Sequence, residues 1–373
     1  MRAYLLVILV AASTTWLLTP FVQRFAVRIH AMTEVRDRDV HVLPTPRLGG
    51  VAIWAGLLVA ALVAEQLPNL GQVFHATSEP KAALVGATLI AVLGALDDRF
   101  DLDALTKLAG QIAIAGVMVL MGVQLSYLYL PGGTLYVLGA DQAVPLTVLL
   151  VVLLVNAVNF IDGLDGLAAG VVAIAAAATF VYSYHLESFY GEGISAAPAA
   201  LLAALLLGAC LGFLPHNFSP ARLFMGDSGA MLLGLVLAAS MTTVTGQIDY
   251  AGLDKLDRVP LLVPLVVPLA VLAVPFIDLA LAVLRRARDG RSPFSPDKLH
   301  LHHRLLEIGH SQRRAVLLLY AWAALTGFGV VLLSFSSGGV WAVVGLVVAF
   351  VAIVAVSALP RLRHWRAIVR PGP

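Results

Sequence analysis

Charge is what this sequence has least of. Only 12% of its 373 residues are charged, whereas soluble domains usually carry about 25%. Hydrophobic residues make up 60% of the chain, so an ordinary soluble domain is excluded. The composition instead predicts an all-α protein that crosses a membrane several times.

Cysteine and clustered positive charge are also scarce. The single cysteine, Cys210, lies in an apolar stretch, can form no intrachain disulfide and is predicted to pack in the interior. The net charge is only +2, and no basic stripe indicates a nucleic-acid partner. The sequence also lacks internal repeats and low-complexity linkers, which predicts that residues 1–373 form one integral-membrane domain.

Eleven apolar stretches are long enough to cross a bilayer, which needs about 20 residues per helix. The first follows Arg2, as a secretory signal would, but it lacks a small-residue cleavage site and is expected to remain as a membrane helix. The predicted spans are residues 3–22, 48–64, 81–96, 104–123, 143–160, 166–184, 196–214, 228–245, 259–284, 315–334 and 340–358.

The distribution of lysine and arginine predicts the orientation of these spans. With the N-terminus outside, 20 of the 24 lysines and arginines fall on cytoplasmic segments and four fall outside, as cytoplasmic loops accumulate positive charge. The C-terminus is then cytoplasmic too. The predicted cytoplasmic segments are 23–47, 97–103, 161–165, 215–227, 285–314 and the basic tail 359–373.

Two further segments, the ninth span and one outer loop, have local sequence patterns that predict their structure. Four prolines in segment 259–284, the ninth span, favour a kinked or broken helix because each removes a backbone donor. Three tyrosines around a Pro-Gly-Gly sequence at 131–133 predict a small external β-hairpin over residues 125–138.

Acidic residues recur where apolar stretches end on the predicted cytoplasmic face. Asp97 and Asp98 are adjacent, and their mutual repulsion is relieved by a divalent cation or by a raised pKa of one of them. They therefore suit a metal ligand or a general base, with a hydrated helix end as the alternative. Carboxylates are expensive beside hydrocarbon, so their recurrence at one face indicates a metal and a phosphorylated substrate.

The second acidic loop, residues 156–166, places Asp162 and Asp165 three positions apart, on one face of a helix or tight turn. Asn159 offers a neutral oxygen ligand for Mg²⁺, which prefers few carboxylates together with water and substrate phosphates. Aspartate-glycine pairs are also common in ordinary turns, so a turn without a functional role is the alternative.

The third acidic loop precedes the span that begins at residue 228. Asp227 either caps that helix or holds a metal that bridges phosphates, and the helix start also offers backbone N–H groups to phosphate. Upstream, Asn217 and Phe224 suit contact with a base by hydrogen bonding and stacking, and Arg222 suits phosphate or sugar.

Basic residues form most of the remaining candidates for substrate binding. Three imidazoles, His300, His302 and His303, lack the cysteines or the His-Glu-x-x-His pattern of a transition-metal site, so with Arg291 nearby they are predicted to bind diphosphate. Thr45 and Arg47 place a hydroxyl and a cation at the start of span 48–64.

Taken together, these motifs resemble the polyprenyl-phosphate N-acetylhexosamine-1-phosphate transferase family, in order from Pro44 to about Ser311. They look most like the bacterial WecA/TagO branch, which is related to the phospho-MurNAc-pentapeptide translocase MraY. The matching segments are Asp97-Asp98-Arg99-Phe100-Asp101-Leu102, Asn156 to Gly166, Phe224 to Gly229 and His300 to Leu305.

The resemblance implies transfer of a sugar 1-phosphate from a UDP-sugar to a polyprenyl phosphate, with release of UMP. It implies Mg²⁺ as cofactor, with Mn²⁺ as a substitute, and eleven helices in the bacterial plasma membrane with a cytoplasmic active site. The partners it implies are the UDP-sugar and the lipid phosphate. The sequence leaves open whether the chain forms a homodimer.

The resemblance also implies roles for individual residues. Asp97 would deprotonate or orient the lipid phosphate, supported by Asp98, and Asn159 and Asp227 would hold Mg²⁺. Asp162 is assigned to the catalytic group and would also approach uridine or phosphate. The predicted substrate-binding residues are Thr45, Arg47, Lys107, Asp165, Asn217, Arg222, Phe224, Arg291, His300, His302 and His303.

Several alternatives remain at this level. MraY-type chains usually carry three consecutive histidines where this chain has His300-Leu301-His302-His303, which favours UDP-N-acetylglucosamine over UDP-MurNAc-pentapeptide; another UDP-N-acetylhexosamine is also open. In-line attack and double displacement through an aspartyl intermediate both fit the residues. A secondary transporter would instead carry its acids near the middle of helices, often within a repeat.

Overall fold

The computed structural model describes residues 1–32, 45–130, 134–190, 196–246, 263–273, 277, 284, 288, 310–335 and 339–369. Within them the chain is helical apart from one two-stranded hairpin. The helices are α1 (Arg2–Arg28), α2 (Gly49–Gln66), α3 (Pro68–Ala76), α4 (Glu79–Phe100), α5 (Ala104–Leu120), α6 (Ala140–Ile161), α7 (Leu167–Tyr190), α8 (Ala197–Asn217), α9 (Gly226–Gly246), α10 (Val263–Val271), α11 (Gln312–Phe335) and α12 (Val340–Val369).

The helices confirm an all-α polytopic membrane protein. Nine of those in the described ranges are long and apolar enough to cross a membrane, and each coincides with a predicted span. The predicted span 104–123 is the shorter apolar helix α5, of 17 residues. Within the predicted span 259–284, residues 263–271 form α10, which contains Pro268; Pro260 and Pro275 lie outside the described residues. The orientation of the helices stays a prediction.

The predicted β-hairpin is confirmed, its external location stays a prediction, and one helix was missed. Strand β1 (Tyr127–Leu130) pairs antiparallel with β2 (Thr134–Val137), with Tyr127 opposite Val137. Helix α3 has nine residues, too few to span a bilayer, so a search for apolar runs passes over it. It forms because Leu70, Val73 and Phe74 recur at helical spacing and bury one face.

Helix α9 is the centre of the bundle, and small residues let its neighbours approach its backbone. A Cβ atom on Gly94 of α4 would lie 2.4 Å from Ser228 Cα, and one on Gly50 of α2 would lie 2.1 Å from the Gly229 nitrogen. A Cβ on Gly234 would lie 2.6 Å from Val155 Cα of α6. Backbone contacts of this kind are typical of helices packed inside membranes.

These contacts fix which ends of the helices meet. Helices α4 and α6 pack antiparallel to α9, so both end beside the residues with which α9 starts, whereas α2 starts there. Three helix ends that are far apart in sequence are therefore brought together at one end of the bundle. The polar residues of the acidic loops sit at these ends.

Candidate active site

The carboxylate of Asp98 caps the start of α9 from the end of a different helix. It accepts hydrogen bonds from the backbone N–H groups of Asp227 at 2.8 Å and Ser228 at 3.1 Å, and Asp98 is 8% exposed. The first N–H groups of a helix have no partner within the helix. The expectation that this helix start offers free donors to phosphate is therefore wrong for these two groups, since Asp98 already occupies them.

Because Asp98 caps α9, the side chain of Asp227 does not serve as the helix cap. Asp227 lies inside the first turn of α9 and is not its N-cap, because the helix begins at Gly226. Gly226 has φ +71°, and a Cβ there would lie 2.5 Å from the Asp98 carboxylate oxygens. A glycine is required at this position both by the left-handed backbone and by the close approach of Asp98.

Lys107 joins the two other carboxylates of the site. Its Nζ lies 3.0 Å from Asp97 Oδ2 and 3.1 Å from Asp227 Oδ2. The second oxygen of Asp97 accepts a hydrogen bond from the Leu102 N–H at 2.9 Å. The ends of α4, α5 and α9 are thus connected by one ammonium group and two carboxylates.

Asp162, which follows the last residue of α6, belongs to the same electrostatic cluster. Burial, reinforced by the negative charges of Asp227, Asp98 and Asp165, raises the pKa of the Asp162 carboxyl to about 7, and the positive charge of Arg47 partly offsets this. The sequence placed the three acidic loops on one face of the membrane, and in the structure Asp97, Asp98, Asp162 and Asp227 lie at one end of the bundle. In the described chain no acidic residue lies near the middle of a long helix, in contrast to the transporter alternative.

Asp103, another acid of the first loop, has a structural role. Its side chain caps α5 by accepting hydrogen bonds from the N–H groups of Leu105 and Thr106, both at 3.0 Å. Hydrogen bonds from the Thr106 hydroxyl and N–H lower the pKa of Asp103. This cap fixes the first turn of α5, from which Lys107 projects.

Asn217 and Asp165 hold the loop that precedes α9. Asn217 Oδ1 accepts a hydrogen bond from the Gly166 N–H at 3.1 Å, and its Nδ2 donates to the Leu223 carbonyl at 3.1 Å. Asp165 Oδ2 accepts from the Ala221 N–H at 3.0 Å. Asn217 and Asp165 are 2% and 4% exposed. Both side chains thus shape the loop, and direct contact with a nucleotide stays a prediction for them.

The segment around Arg47 packs against the same loop. The Phe224 N–H donates to the Pro46 carbonyl at 2.9 Å, and the Gly49 N–H donates to the Phe224 carbonyl at 3.0 Å. Thr45 is buried and Phe224 is half-buried. Because the positive charge of Arg47 acts on both Asp162 and Asp227, this cation lies near the acidic cluster, and its contact with substrate stays a prediction.

Arg222 lies at the surface of the loop. Its side chain is exposed, and its backbone carbonyl accepts a hydrogen bond from Gln23 Nε2 at 2.9 Å. An exposed guanidinium near the acidic cluster remains suited to phosphate or sugar. The other cations predicted for this purpose, Arg291, His300, His302 and His303, lie outside the described residues.

Sequence reasoning missed Gln111, which connects α5 to two other helices of the site. Its Oε1 accepts a hydrogen bond from Asn156 Nδ2 at 2.6 Å, and its Nε2 lies 3.3 Å from Met231 Sδ. Gln111 is 3% exposed. The available signal was a polar residue inside an apolar helix, four positions after Lys107 and therefore on the same face.

Tyr320 of α11 was also missed. Its hydroxyl donates to the Gly166 carbonyl, and its ring fills the space beside Gly170, where a Cβ would lie 1.9 Å from Tyr320 Cζ. Tyr320 lies one turn before the middle of its helix, and nothing in the sequence distinguishes it from a tyrosine that faces lipid. It ties α11 to the second acidic loop.

The donor set fits Mg²⁺ better than a transition metal. Among the described residues no group of three or more His, Cys, Asp and Glu side chains is arranged to hold an ion, which is unlike a closed zinc site. Mg²⁺ instead uses one or two carboxylates and completes its shell with water and substrate phosphates. Asp227 and Asp97 already accommodate a positive charge between them. Asn159, half-buried in the last turn of α6, is the neutral oxygen predicted beside them.

In comparison with known proteins, the sequence model of glycosyl transferase family 4 matches residues 81–245. The chain belongs to this family, which confirms the resemblance drawn from the motifs.

Individual relatives cover almost the whole chain. It is 48% identical over 366 residues to the decaprenyl-phosphate N-acetylglucosaminephosphotransferase of Mycolicibacterium smegmatis, covering 98% of this chain and 90% of the relative. The Mycobacterium tuberculosis protein of the same name is 48% identical over 331 residues, covering 88% and 82%. The probable undecaprenyl-phosphate N-acetylglucosaminyl 1-phosphate transferase of Bacillus subtilis is 32% identical over 348 residues, covering 93% and 88%.

Proposed function

We propose that this protein transfers N-acetylglucosamine 1-phosphate from UDP-N-acetylglucosamine to a polyprenyl phosphate. The products are UMP and a polyprenyl diphosphate that carries N-acetylglucosamine. The proposal is carried by the 48% identity, over 98% of the chain, to a relative named for this phosphotransfer. The cluster of Asp97, Lys107 and Asp227 at one end of the bundle supports it with suitable chemistry.

The reaction joins two anions, and the site supplies what that requires. An oxygen of the lipid phosphate attacks the phosphorus next to the sugar. The bond from that phosphorus to the bridging oxygen breaks, and UMP leaves with that oxygen. Asp97, beside the chain's own Lys107, orients the lipid phosphate and accepts its proton if it arrives protonated. Arg47 and the exposed Arg222 offset the charge of the phosphates.

A divalent cation completes the proposal. Asp227, together with Asn159, would hold Mg²⁺, with Mn²⁺ as a substitute. Mg²⁺ would stabilise negative charge on the diphosphate and on the leaving UMP. Asp98 holds Asp227 in place through the backbone of α9, and Asp162 adds a further negative charge to the cluster.

The activity is tested with purified protein, radiolabelled UDP-N-acetylglucosamine and decaprenyl phosphate, by following labelled lipid in Mg²⁺ and in chelator. Product should form only with the metal. Asp227→Asn should lose turnover by about 100-fold or more, whereas the matched variant Asp141→Asn, an exposed acid at the opposite end of α6, should retain it. Absence of product with this donor, but product with UDP-MurNAc-pentapeptide, would move the protein to the MraY reaction.

The order of bond making is tested by isotope exchange. We infer in-line attack, because Asp97 already lies beside the cation that would orient a lipid phosphate. Labelled UMP should then enter UDP-N-acetylglucosamine only when the lipid is present. Exchange without lipid would establish an aspartyl intermediate and double displacement.

The site is proposed to face the cytoplasm of a bacterial plasma membrane, where nucleotide sugars are made. Cysteine substitutions at Asp101 and Asp141, both exposed and at opposite ends of the bundle, report the orientation because the native Cys210 is buried. An impermeant maleimide should label Asp141→Cys on intact cells and Asp101→Cys only after permeabilisation. The reverse pattern would invert the topology.

A further inference from the structure

The ammonium group of Lys107 lies between two carboxylates that belong to different helices. Its Nζ is 3.0 Å from Asp97 Oδ2 and 3.1 Å from Asp227 Oδ2. The two oxygens can therefore be no farther apart than the sum of these distances. At that separation two carboxylates repel unless a positive charge lies between them.

The position of Lys107 is built into α5. Asp103 caps the helix, which fixes the register of its first turn. Gln111, four residues after Lys107 and on the same face, is held by Asn156 and Met231. With both neighbouring turns anchored, Lys107 projects toward the ends of α4 and α9. Its ion pairs are thus a consequence of the helix packing and not of a freely moving surface side chain.

We propose that Lys107 is an internal counter-cation, which holds Asp97 and Asp227 together before a divalent cation binds and is displaced when the cation arrives. The inference rests on the proposed function, in which Asp227 holds Mg²⁺. The ammonium group already contacts the Asp227 carboxylate, so it and a divalent cation would compete for that carboxylate, because the two positive charges repel and each needs its oxygens. Lysine suits the exchange, since its charge is compact and its four-carbon stem is flexible.

A counter-cation at this position has two consequences for the site. It keeps the carboxylates of α4 and α9 at close range without metal, so the cation meets a prearranged pair. It also lowers the affinity for a free cation, because binding must first break two ion pairs. If Lys107 only bound substrate, its substitution would leave the affinity for the metal unchanged.

Displacement is tested on the unmodified protein by the reactivity of its lysines. The chain has four lysines, Lys81, Lys107, Lys255 and Lys298, so tryptic or chymotryptic peptides after reductive methylation resolve each one. Lys107 should react slowly in chelator and several-fold faster with saturating Mn²⁺. Lys81, which is exposed at the start of α4, should react at the same rate in both. An unchanged or lower rate at Lys107, with Mn²⁺ bound, would overturn the proposal.

Competition is tested by Mn²⁺ binding, measured from the loss of the free-ion electron paramagnetic resonance signal. Lys107→Gln should lower the Mn²⁺ dissociation constant by about tenfold or more, since one nearby positive charge is removed. The matched variant Lys81→Gln should bind as the wild type does. An unchanged dissociation constant for Lys107→Gln would overturn the counter-cation role. If wild type and Asp227→Asn bind Mn²⁺ equally, the metal assignment of the proposed function fails instead.

Discussion

The carboxylate of Asp98 accepts a hydrogen bond from the backbone N–H of Asp227 at 2.8 Å. A residue in the last turn of α4 thereby fixes the first turn of α9, and with it the carboxylate proposed to hold the metal. Asp98 and Asp97 are adjacent in sequence, yet the first positions a helix and the second contacts Lys107. Their roles are consequently separable by mutation.

Substitution of Asp98 should lower stability and activity in a graded order. Asp98→Ala leaves the partly buried N–H of Asp227 and the buried N–H of Ser228 without partners and should cost about 1–3 kcal/mol of unfolding free energy. Asp98→Asn keeps one acceptor and should lie between alanine and wild type. Turnover of Asp98→Ala should fall about 100-fold, because Asp227 moves. Thermal unfolding in detergent and the transfer assay measure both effects.

The exposed neighbour Asp101 provides the control for this series. It follows α4 in a left-handed conformation, which asparagine tolerates well, so Asp101→Asn should match wild type in both measurements. Equal stability of Asp98→Ala and wild type would contradict the capping role.

Glycine at position 94 should be required for the contact between α4 and α9. Gly94→Ala would place a methyl group 2.4 Å from Ser228 Cα, so the helices must separate, at a cost of about 1–3 kcal/mol. Asp97 and Asp227 would move apart and turnover would fall. Gly116→Ala is the matched control in α5, because its Cβ would meet nothing within 4 Å. It should be as stable as wild type or more stable by up to about 1 kcal/mol.

Asn217 should act on the loop, whereas Arg222 should act on substrate. Asn217→Leu removes the partners of a buried N–H and a buried carbonyl and should lower stability by about 1–3 kcal/mol. Arg222→Gln should leave the melting temperature unchanged and raise KM for the UDP-sugar, since its side chain is exposed. Melting curves and donor titrations of the two variants separate the roles. A changed KM without a change in melting temperature for Asn217→Leu would assign it to nucleotide binding.

The burial of Asp162 should make its effect on stability depend on pH. Its pKa is raised from 3.8 to about 7, so the folded protein retains a proton that the unfolded chain loses above about pH 4. Below pH 4 both states are protonated and the group costs nothing. The cost grows from about pH 4 to 7 and is constant above that range.

The matched substitution is Asp162→Asn, which stays neutral at every pH. In metal-free protein its melting temperature should exceed that of wild type by an amount that increases up to about pH 7 and then levels off. Melting curves of both proteins in chelator at several pH values provide the measurement. A difference that is independent of pH would show that the carboxyl is not desolvated in the folded state.

Much of the fold follows from the sequence because each transmembrane helix satisfies its own backbone and needs only an apolar stretch of sufficient length. The nine long helices were predicted for this reason, whereas the hairpin was predicted from its tyrosines and its Pro-Gly-Gly turn. The location of Asp97, Asp162 and Asp227 at one end of the bundle also followed, since loops on one side of a membrane are confined to one face. Helix α3 was not predicted, because only one of its faces is buried and it is too short to span a bilayer.

The sequence by itself thus determined an all-α membrane protein, the identity of its acidic residues and their place at one end of the bundle. Only the tertiary structure decided what each acid does. Asp98 meets a backbone 129 positions away, and Lys107 meets Asp227 across 120 positions. Such partners depend on how closely helices pack at Gly50, Gly94 and Gly234. Hydrogen bonds and ion pairs act over about 3 Å, and distances of that size are set by packing, which no local pattern of residues encodes.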